Sequence, residues 1–277
     1  MSYQCIRNDL WVTLFPSIAI VVAALVHSTA SPGKTCYLLV AGFVLAWLQV
    51  YSVTLSEQLH SQAEDYLNKP WRPLASGAVS HAWFRTRSVI FALTYLLVGI
   101  VLGAGWWCLS VGVISLLHAH VGLSRWWLAK NILPTLGLLA MLGAQWRIVA
   151  PLTPAAWRWM IGMFVLIVVV IHIQDLRDLE GDRVVGRRTL PMVLGDRPTR
   201  ISLALTFLMM PLADRILMQV GPGSSLMAWA CYAVTTLLCL IITWCILTCR
   251  GREADHRTYR YWEYWFTAMF LSMIFCL

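Results

Sequence analysis

Residues 158–183 read RWMIGMFVLIVVVIHIQDLRDLEGDR, a largely apolar run that passes directly into alternating acidic and basic residues. A helix needs about 20 residues to cross the hydrocarbon of a bilayer, so an apolar run of this length predicts a membrane-spanning helix. Carboxylates at the end of such a helix are costly unless they pair, face water or bind a cation. The stretch therefore predicts an all-α membrane protein with a functional site at one end of this helix.

The composition of the whole chain leads to the same conclusion. Of 277 residues, 59% are apolar and 12% are charged, and the mean hydropathy is +0.69. Ordinary soluble domains carry about a quarter charged residues, so a soluble enzyme and a disordered chain are excluded. The eight cysteines are scattered singly, without a C-x-x-C pair, which indicates small buried hydrophobes and excludes a disulfide scaffold.

The apolar runs predict nine spanning helices in one domain, residues 1–277. If the spans alternate, seventeen of the 21 cations fall on the side that holds the N-terminus, and four fall on the other. By the positive-inside rule this split places the N-terminus and the acidic connections in the cytosol, and the C-terminus on the opposite side of the membrane. The predicted spans are 10–27, 36–55, 88–104, 105–121, 131–146, 158–174, 201–220, 226–248 and 261–277.

Three aspartates follow the quoted apolar run, at a spacing that suggests a shared role. On one continuous helix, Asp175, Asp178 and Asp182 would return to a single stripe. Three carboxylates on one stripe repel one another unless a hard cation lies among them, and Mg²⁺ binds oxygen ligands while keeping sites for substrate phosphates. The segment therefore predicts half of a magnesium–phosphate site. The alternative is a solvated loop whose acids pair with the interleaved arginines.

Another acidic connection, residues 57–72, comes earlier along the chain, after the second predicted span, and combines acids with cations. It is called the first acidic segment below, and the one that holds Asp175, Asp178 and Asp182 is called the second. If the helix of the first acidic segment continues, Glu57, Ser61, Glu64 and Asp65 lie on one broad face. A proline-bracketed loop then presents Lys69 and Arg72, which suit phosphate oxygens. Both acidic connections lie at cytosolic helix ends, so a helical bundle is expected to set them across one cavity.

These two segments resemble the UbiA superfamily of intramembrane prenyltransferases. The resemblance implies a nine-helix bundle with a cytosol-facing active-site cavity, in which Mg²⁺ holds an isoprenoid diphosphate between two Asp-rich motifs. It also implies catalytic roles for Asp65, Asp175, Asp178 and Asp182. The matching residues are Asp175-x-x-Asp178-x-x-x-Asp182 with Gly186-Arg187-Arg188-Thr189-Leu190-Pro191 and Gly195, and Asn68-Lys69-Pro70-x-Arg72-Pro73 with Gly77.

The first motif departs from the family pattern N-x-x-x-D-x-x-x-D. Those positions hold Glu57, Ser61 and Asp65, so two of three expected ligands are replaced. Glu57, or Glu64 beside Asp65, is a candidate substitute among the metal ligands.

Other features resemble the fungal branch of the family that includes UbiA-type terpene cyclases. They are the run Glu64-Asp65-x-x-Asn68-Lys69-Pro70-Trp71-Arg72-Pro73 together with Gln174-Asp175-Leu176-Arg177-Asp178. Arg7-Asn8-Asp9-Leu10 at the first span and Lys130-Asn131 at the fifth also resemble that branch. Arg7, Lys130 and Asn131 are therefore predicted either to bind the diphosphate, together with Lys69 and Arg72, or to anchor helix ends at the membrane surface.

The resemblance implies Mg²⁺-dependent ionisation of an isoprenoid diphosphate, farnesyl diphosphate being the first choice, followed by cyclisation. The alternatives are prenyl transfer to an aromatic or other lipophilic acceptor, and a non-catalytic membrane scaffold. The expected partners are the isoprenoid diphosphate and membrane lipid, with no nucleic acid and no evident protein partner. Two further interpretations concern single side chains: the histidines form no site, and Trp126, Trp127 and Trp262 belong to the interfacial belt.

Overall fold

A computed structural model describes residues 2–119, 121, 123, 126–184 and 186–277, apart from the side chain of Trp127. This part of the chain is helical, with no strand among the described residues, as the composition predicted. The helices are α1 Ser2–Ile6, a π-helical turn Leu10–Leu14, α2 Phe15–Val26, α3 Pro32–His60, α4 Gln62–Asn68, α5 His81–Val101, α6 Gly105–Ala119, α7 Trp127–Arg147, α8 Pro154–Val170, α9 Ile173–Arg177, α10 Leu179–Val184, α11 Leu190–Leu194, α12 Asp196–Met218, α13 Leu226–Thr248 and α14 Arg252–Cys276.

Each predicted span overlaps a helix, and most of these helices begin before the apolar run while several end before the run does. Five helical stretches are long and apolar enough to cross a bilayer, and two shorter apolar ones are Leu10–Val26 and Gly105–Ala119. The helix predicted at 261–277 starts at Arg252, because Glu253 and Asp255 in its first turn favour the positive helix end. Hydropathy thus marks the hydrocarbon-spanning part of a helix and not its ends. The count of nine spans and their sidedness stay predictions.

The chain divides into two compact units, and the interpretation of 1–277 as one domain stays a prediction. Unit 1 comprises Met1–Pro151 and Glu180–Arg188. In it, α3 packs against α2 and α5, and α6 packs against α7. A Cβ atom at Gly42 would lie 2.7 Å from Cγ2 of Val21, so α2 and α3 approach at a distance that only glycine permits.

Unit 2 comprises Leu152–Leu179 and Thr189–Leu277, and its centre is the packing of α12, α13 and α14. A column of buried aromatic rings follows one face of α14. The ring of Trp262 lies 5.1 Å from that of Tyr259 and 5.5 Å from that of Phe266. The interpretation of Trp262 as an interfacial residue is therefore wrong, because this packing leaves only 2% of it exposed. Trp126 is exposed, and the side chain of Trp127 lies outside the described residues.

Both acidic segments break the helices on which they were expected to lie. Ser61 (φ −106°, ψ 21°) separates α3 from α4, and Asp178 (φ −94°, ψ 8°) separates α9 from α10. At the first break, the Ser61 hydroxyl donates to the carbonyl oxygen of Glu57 (2.9 Å), a local bond that competes with helix continuation. The prediction of continuous helices is thus wrong at both places, and the single-stripe arguments lose their geometric basis.

Candidate active site

The first acidic segment is organised around a buried arginine. Nη1 of Arg72 donates to both carboxylate oxygens of Asp65, each at 2.9 Å. Its Nη2 donates to Oδ2 of Asp9 at 3.3 Å, and the Thr54 hydroxyl lies 3.5 Å from the same oxygen. Arg72 is 2% exposed, so its guanidinium is surrounded by protein. Arg72, predicted as a diphosphate ligand, therefore joins the N-terminal segment to the first acidic segment.

Burial and charge act in opposite directions on this group. Burial raises the pKa of the Asp65 carboxyl above its ordinary value, and the nearby Arg72 and Lys69 oppose the rise. Burial disfavours the charge of Arg72, but Asp9 and Asp65 more than compensate and raise its pKa. The guanidinium therefore stays charged and provides the positive charge that these two carboxylates need.

A second ionic group in unit 1 surrounds Asp182, which is fully buried. Nζ of Lys130 donates to Oδ2 of Asp182 at 2.6 Å, and Nη1 of Arg187 donates to Oδ1 at 3.2 Å. Nη1 of Arg187 also contacts Oε2 of Glu64. Burial raises the pKa of Asp182, and Lys130 opposes the rise. Arg187 thus bridges Glu64 of the first acidic segment and Asp182 of the second, and Lys130 of α7 is a further cation on Asp182.

A glycine makes this proximity possible. A Cβ atom on Gly181 would lie 2.8 Å from Cγ of Asn68 and 2.9 Å from Cγ of Glu64. Such distances are shorter than real Cβ contacts, so a residue with a side chain at position 181 would force α10 or the side chains of α4 to shift. Gly181 is one of the residues between the predicted ligands Asp178 and Asp182, and its lack of a side chain brings Asp182 towards Glu64.

Unit 2 holds the other two acids of the second motif, Asp175 and Asp178. Nδ1 of His172 lies 3.2 Å from Oδ2 of Asp175, a contact in which the imidazole N–H donates. Arg177 forms a fork on Asp178: Nε donates to Oδ1 at 2.7 Å and Nη2 donates to Oδ2 at 2.6 Å. Both aspartates are buried, so each has a charged or chargeable partner in place of water.

The remaining predicted site residues lie in unit 1 and differ in burial. Asn131 is buried beside Lys130, Lys69 is half-buried, and exposed Arg7 has its guanidinium 4.6 Å from the ring centroid of Trp71. Glu57, in the last turn of α3, is half-buried and makes no ion pair within the described part of the chain. Of the two candidate substitutes in the first motif, Glu64 is thus engaged by Arg187 and Glu57 is not.

Four residues that the sequence did not assign to the site contact predicted site residues: Asp9 contacts Arg72, and Arg187, His172 and Arg177 contact predicted acids. Asp9 and Arg187 lay within quoted motifs, and His172 precedes Asp175 by one helical turn, so position along the chain offered a signal for them. Arg177 lay between two predicted ligands. His172 is a buried polar residue whose contact with Asp175 satisfies it, the interpretation that the histidines form no site stays a prediction, and His120 lies outside the described residues.

The acids suit Mg²⁺ by their donor chemistry, since carboxylate oxygens are its preferred protein ligands. Among the described residues, no group of three or more acidic, histidine or cysteine side chains is close enough to hold a metal ion. The buried predicted acids are contacted by arginine, lysine or histidine instead. A bound ion would therefore share its carboxylates with these cations, as metal ligands commonly do with outer hydrogen-bond partners.

The sequence matches the UbiA prenyltransferase family over residues 13–274. The chain belongs to this family. One relative, the somaliensene A/B synthase of Streptomyces somaliensis, is 38% identical over 277 residues, which are all of this chain and 93% of that protein. Two relatives from Hericium erinaceus are each 34% identical: the diterpene cyclase eriG covers 85% of this chain and 73% of its own length, and the polyprenyl transferase eriF covers 81% and 77%.

Solved UbiA structures have the same fold. A UbiA homologue from Archaeoglobus fulgidus, determined with GPP and Mg²⁺, superposes with a TM-score of 0.68 at 14% identity, covering 99% of both chains. A homologue from Aeropyrum pernix K1 gives 0.64 at 16% identity, covering 98% of this chain and 96% of that one. The predicted family and the prediction of a UbiA-type enzyme, terpene cyclase or prenyltransferase, are confirmed.

Proposed function

We propose that this UbiA protein ionises an isoprenoid diphosphate within the membrane, with Mg²⁺, and cyclises the resulting allylic cation. The observation that carries the proposal is the arrangement around Asp182, where a fully buried carboxylate lies between Lys130 and Arg187. Acids that attract a divalent cation and cations that attract phosphate oxygens here occupy one place. Relatives named as synthase and cyclase, 38% and 34% identical, favour cyclisation.

In this proposal Asp175, Asp178 and Asp182 are metal ligands, and the diphosphate ligands are Lys69, Lys130, Asn131 and Arg7. Mg²⁺, when bound, neutralises charge that develops on the leaving pyrophosphate. Lys130 and Arg187 contribute fixed positive charge beside the pyrophosphate oxygens. Their contacts with Asp182 hold both side chains in place before the substrate binds. The apolar helices around the site exclude water, which would otherwise capture the cation.

Prenyl transfer is the second candidate, favoured by the similarity to the polyprenyl transferase eriF. Both reactions begin with the same ionisation and differ in the nucleophile. A cyclase uses a double bond of its own substrate, so proximity is built into the substrate. A transferase needs a second molecule. The substrate was predicted to be farnesyl diphosphate, and the relative named a diterpene cyclase makes a twenty-carbon diphosphate the main competitor.

Incubation of the purified full-length protein with Mg²⁺ and one diphosphate at a time separates these candidates. The substrates are the geranyl, farnesyl, geranylgeranyl and geranylfarnesyl diphosphates, without an acceptor. Pyrophosphate release together with a cyclic hydrocarbon or alcohol is the expected result. If products form only after an aromatic acid or phenol is added, and they are prenylated adducts, the chain is a transferase and cyclisation is excluded.

We also propose that the N-terminus and both acidic segments face the cytosol, as the uneven distribution of the cations supports. A tag before Ser2 is then accessible from the cytosol, and a tag after Leu277 is accessible only from the other side. Protease protection of intact vesicles measures both. Two tags on one side would contradict the odd number of spans.

A further inference from the structure

The carboxylate of Asp178 cannot be oriented by a continuous helix. The helix α9 ends at Arg177, Asp178 has non-helical angles, and α10 begins at Leu179. Asp178 is nevertheless 7% exposed, so its carboxylate is held by protein contacts. At a metal site an aspartate whose carboxylate rotates freely is a poor ligand, because the ion requires its oxygens at defined positions. Some other residue must fix this side chain.

Arg177 is that residue. Its Nε and Nη2 donate to the two oxygens of Asp178 at 2.7 and 2.6 Å, which defines the plane of the carboxylate. The two donors occupy one lone pair of each oxygen and leave others for a metal ion, since a carboxylate has about four acceptor positions. Lysine lacks the planar fork and cannot reproduce this arrangement.

The arginine is itself held by a residue far away in sequence. Its guanidinium carbon lies 3.9 Å from the ring centroid of Tyr259, well within the range of a cation–π contact. Tyr259 is 8% exposed and belongs to α14, where its ring packs 5.1 Å from that of Trp262. The aromatic column of α14 thus supports Arg177, and Arg177 orients Asp178. All of these residues lie in unit 2.

We propose that Arg177 and Tyr259 are positioning residues that set the magnesium affinity of Asp178. This inference rests on the proposed function, since it assumes that Asp178 binds the ion. Neither residue touches the substrate in this role. The aromatic ring of Tyr259 makes the cation–π contact with Arg177, so phenylalanine can replace tyrosine there and an aliphatic residue cannot.

The test measures metal binding directly. Mn²⁺ binding to the full chain in detergent, with inorganic pyrophosphate, is followed by electron paramagnetic resonance, beside the Mg²⁺ dependence of turnover and thermal unfolding. Arg177→Lys and Tyr259→Leu are expected to weaken Mn²⁺ binding about 10-fold or more, the usual effect of losing an outer partner of a metal ligand. Tyr259→Phe is expected to bind Mn²⁺ like the wild type, because it keeps the ring.

Matched controls are Tyr264→Leu and Arg257→Lys, exposed positions on the same helix that should leave Mn²⁺ binding unchanged. If Tyr259→Leu and Arg177→Lys only lower the unfolding temperature, their role is structural and the inference is overturned. If Asp178→Asn also leaves Mn²⁺ binding unchanged, the metal role of Asp178 fails with it. If Asp178→Asn weakens Mn²⁺ binding while Arg177→Lys and Tyr259→Leu bind Mn²⁺ like the wild type, only the positioning role is rejected.

Discussion

The two acidic segments each pair a buried aspartate with an arginine, but they hold that arginine in different ways. Each follows a long helix, each is broken by one non-helical residue, and each places an arginine on both oxygens of an aspartate. In the first segment Arg72 follows Asp65 by seven residues and is shared with Asp9. In the second, Arg177 is the immediate neighbour of Asp178 and rests on Tyr259.

The difference concerns what supports the arginine. A second carboxylate supports Arg72, so the first segment gathers acids from the N-terminus as well as from its own motif. An aromatic ring supports Arg177, so Asp178 does not share its arginine's fork with a second acid of the motif, whereas Asp182 shares Arg187 with Glu64. The first segment is also the one that departs from the family pattern, with Ser61 at an acidic position. We therefore expect catalysis to depend more steeply on the second segment.

The largest effect is expected at the second motif. Asp175→Asn, Asp178→Asn and Asp182→Asn keep side-chain volume but remove the charge that holds the cation, and each should lower turnover at least ~10²-fold. Asp65→Asn should cost less, because Arg72 keeps Asp9 as a partner. Pyrophosphate release under saturating substrate and Mg²⁺ measures both, with EDTA-treated wild type as reference. Equal losses at Asp65 and Asp178 would remove the distinction between the segments.

The next effect is on stability, at the first segment. Arg72→Gln leaves the buried carboxylate of Asp65 without its cation, and removing one partner of a buried pair costs about 3–5 kcal/mol. Asp9→Asn should cost less, since the Asp9 side chain is 25% exposed. Thermal unfolding in detergent compares these variants with Arg85→Gln, an exposed position on α5. A melting temperature of Arg72→Gln equal to that of the control would contradict the pairing.

A smaller effect is expected where α10 packs on α4. Gly181→Ala introduces a Cβ atom against Asn68 and Glu64, and overpacking of this kind costs about 1–3 kcal/mol. Gly112→Ala is the matched control, because its Cβ atom would have nothing within 4 Å. Unfolding temperatures should separate the two alanine variants. Identical values would indicate that α10 moves away from α4 freely.

The smallest effect is a shift with pH. Burial raises the pKa of Asp182 and Lys130 lowers it again, so Lys130→Gln should raise this pKa further. A metal ligand must be deprotonated, hence Mn²⁺ binding by the variant should be lost at a higher pH during acidification than in the wild type. Mn²⁺-binding titrations between about pH 4 and 8 measure the shift, because a carboxyl with a raised pKa changes its protonation within this interval. An unchanged or downward shift would refute the electrostatic role of Lys130.

The sequence alone determined the membrane character, the positions of the helices and the family. Apolar run length is a local property, and a bilayer requires its spanning segments to be apolar, so 226–248 could be predicted without knowledge of any contact. The motif acids were likewise identifiable, because Asp175, Asp178 and Asp182 keep the spacing of the family. Helix ends were less predictable, since hydropathy does not report the caps and polar turns that extend or interrupt a helix.

Only the tertiary structure decided the partners of these acids. Asp9 meets Arg72 across 63 residues, Lys130 meets Asp182 across 52, and Tyr259 reaches Arg177 from α14. Spacing along the chain carries no information about such pairs, because they arise when separate helices pack and bury charges that then need compensation. Packing between helices also decided the place of Trp262. Tryptophan as a residue type suits the membrane surface, but packing on one face of α14 buries this ring.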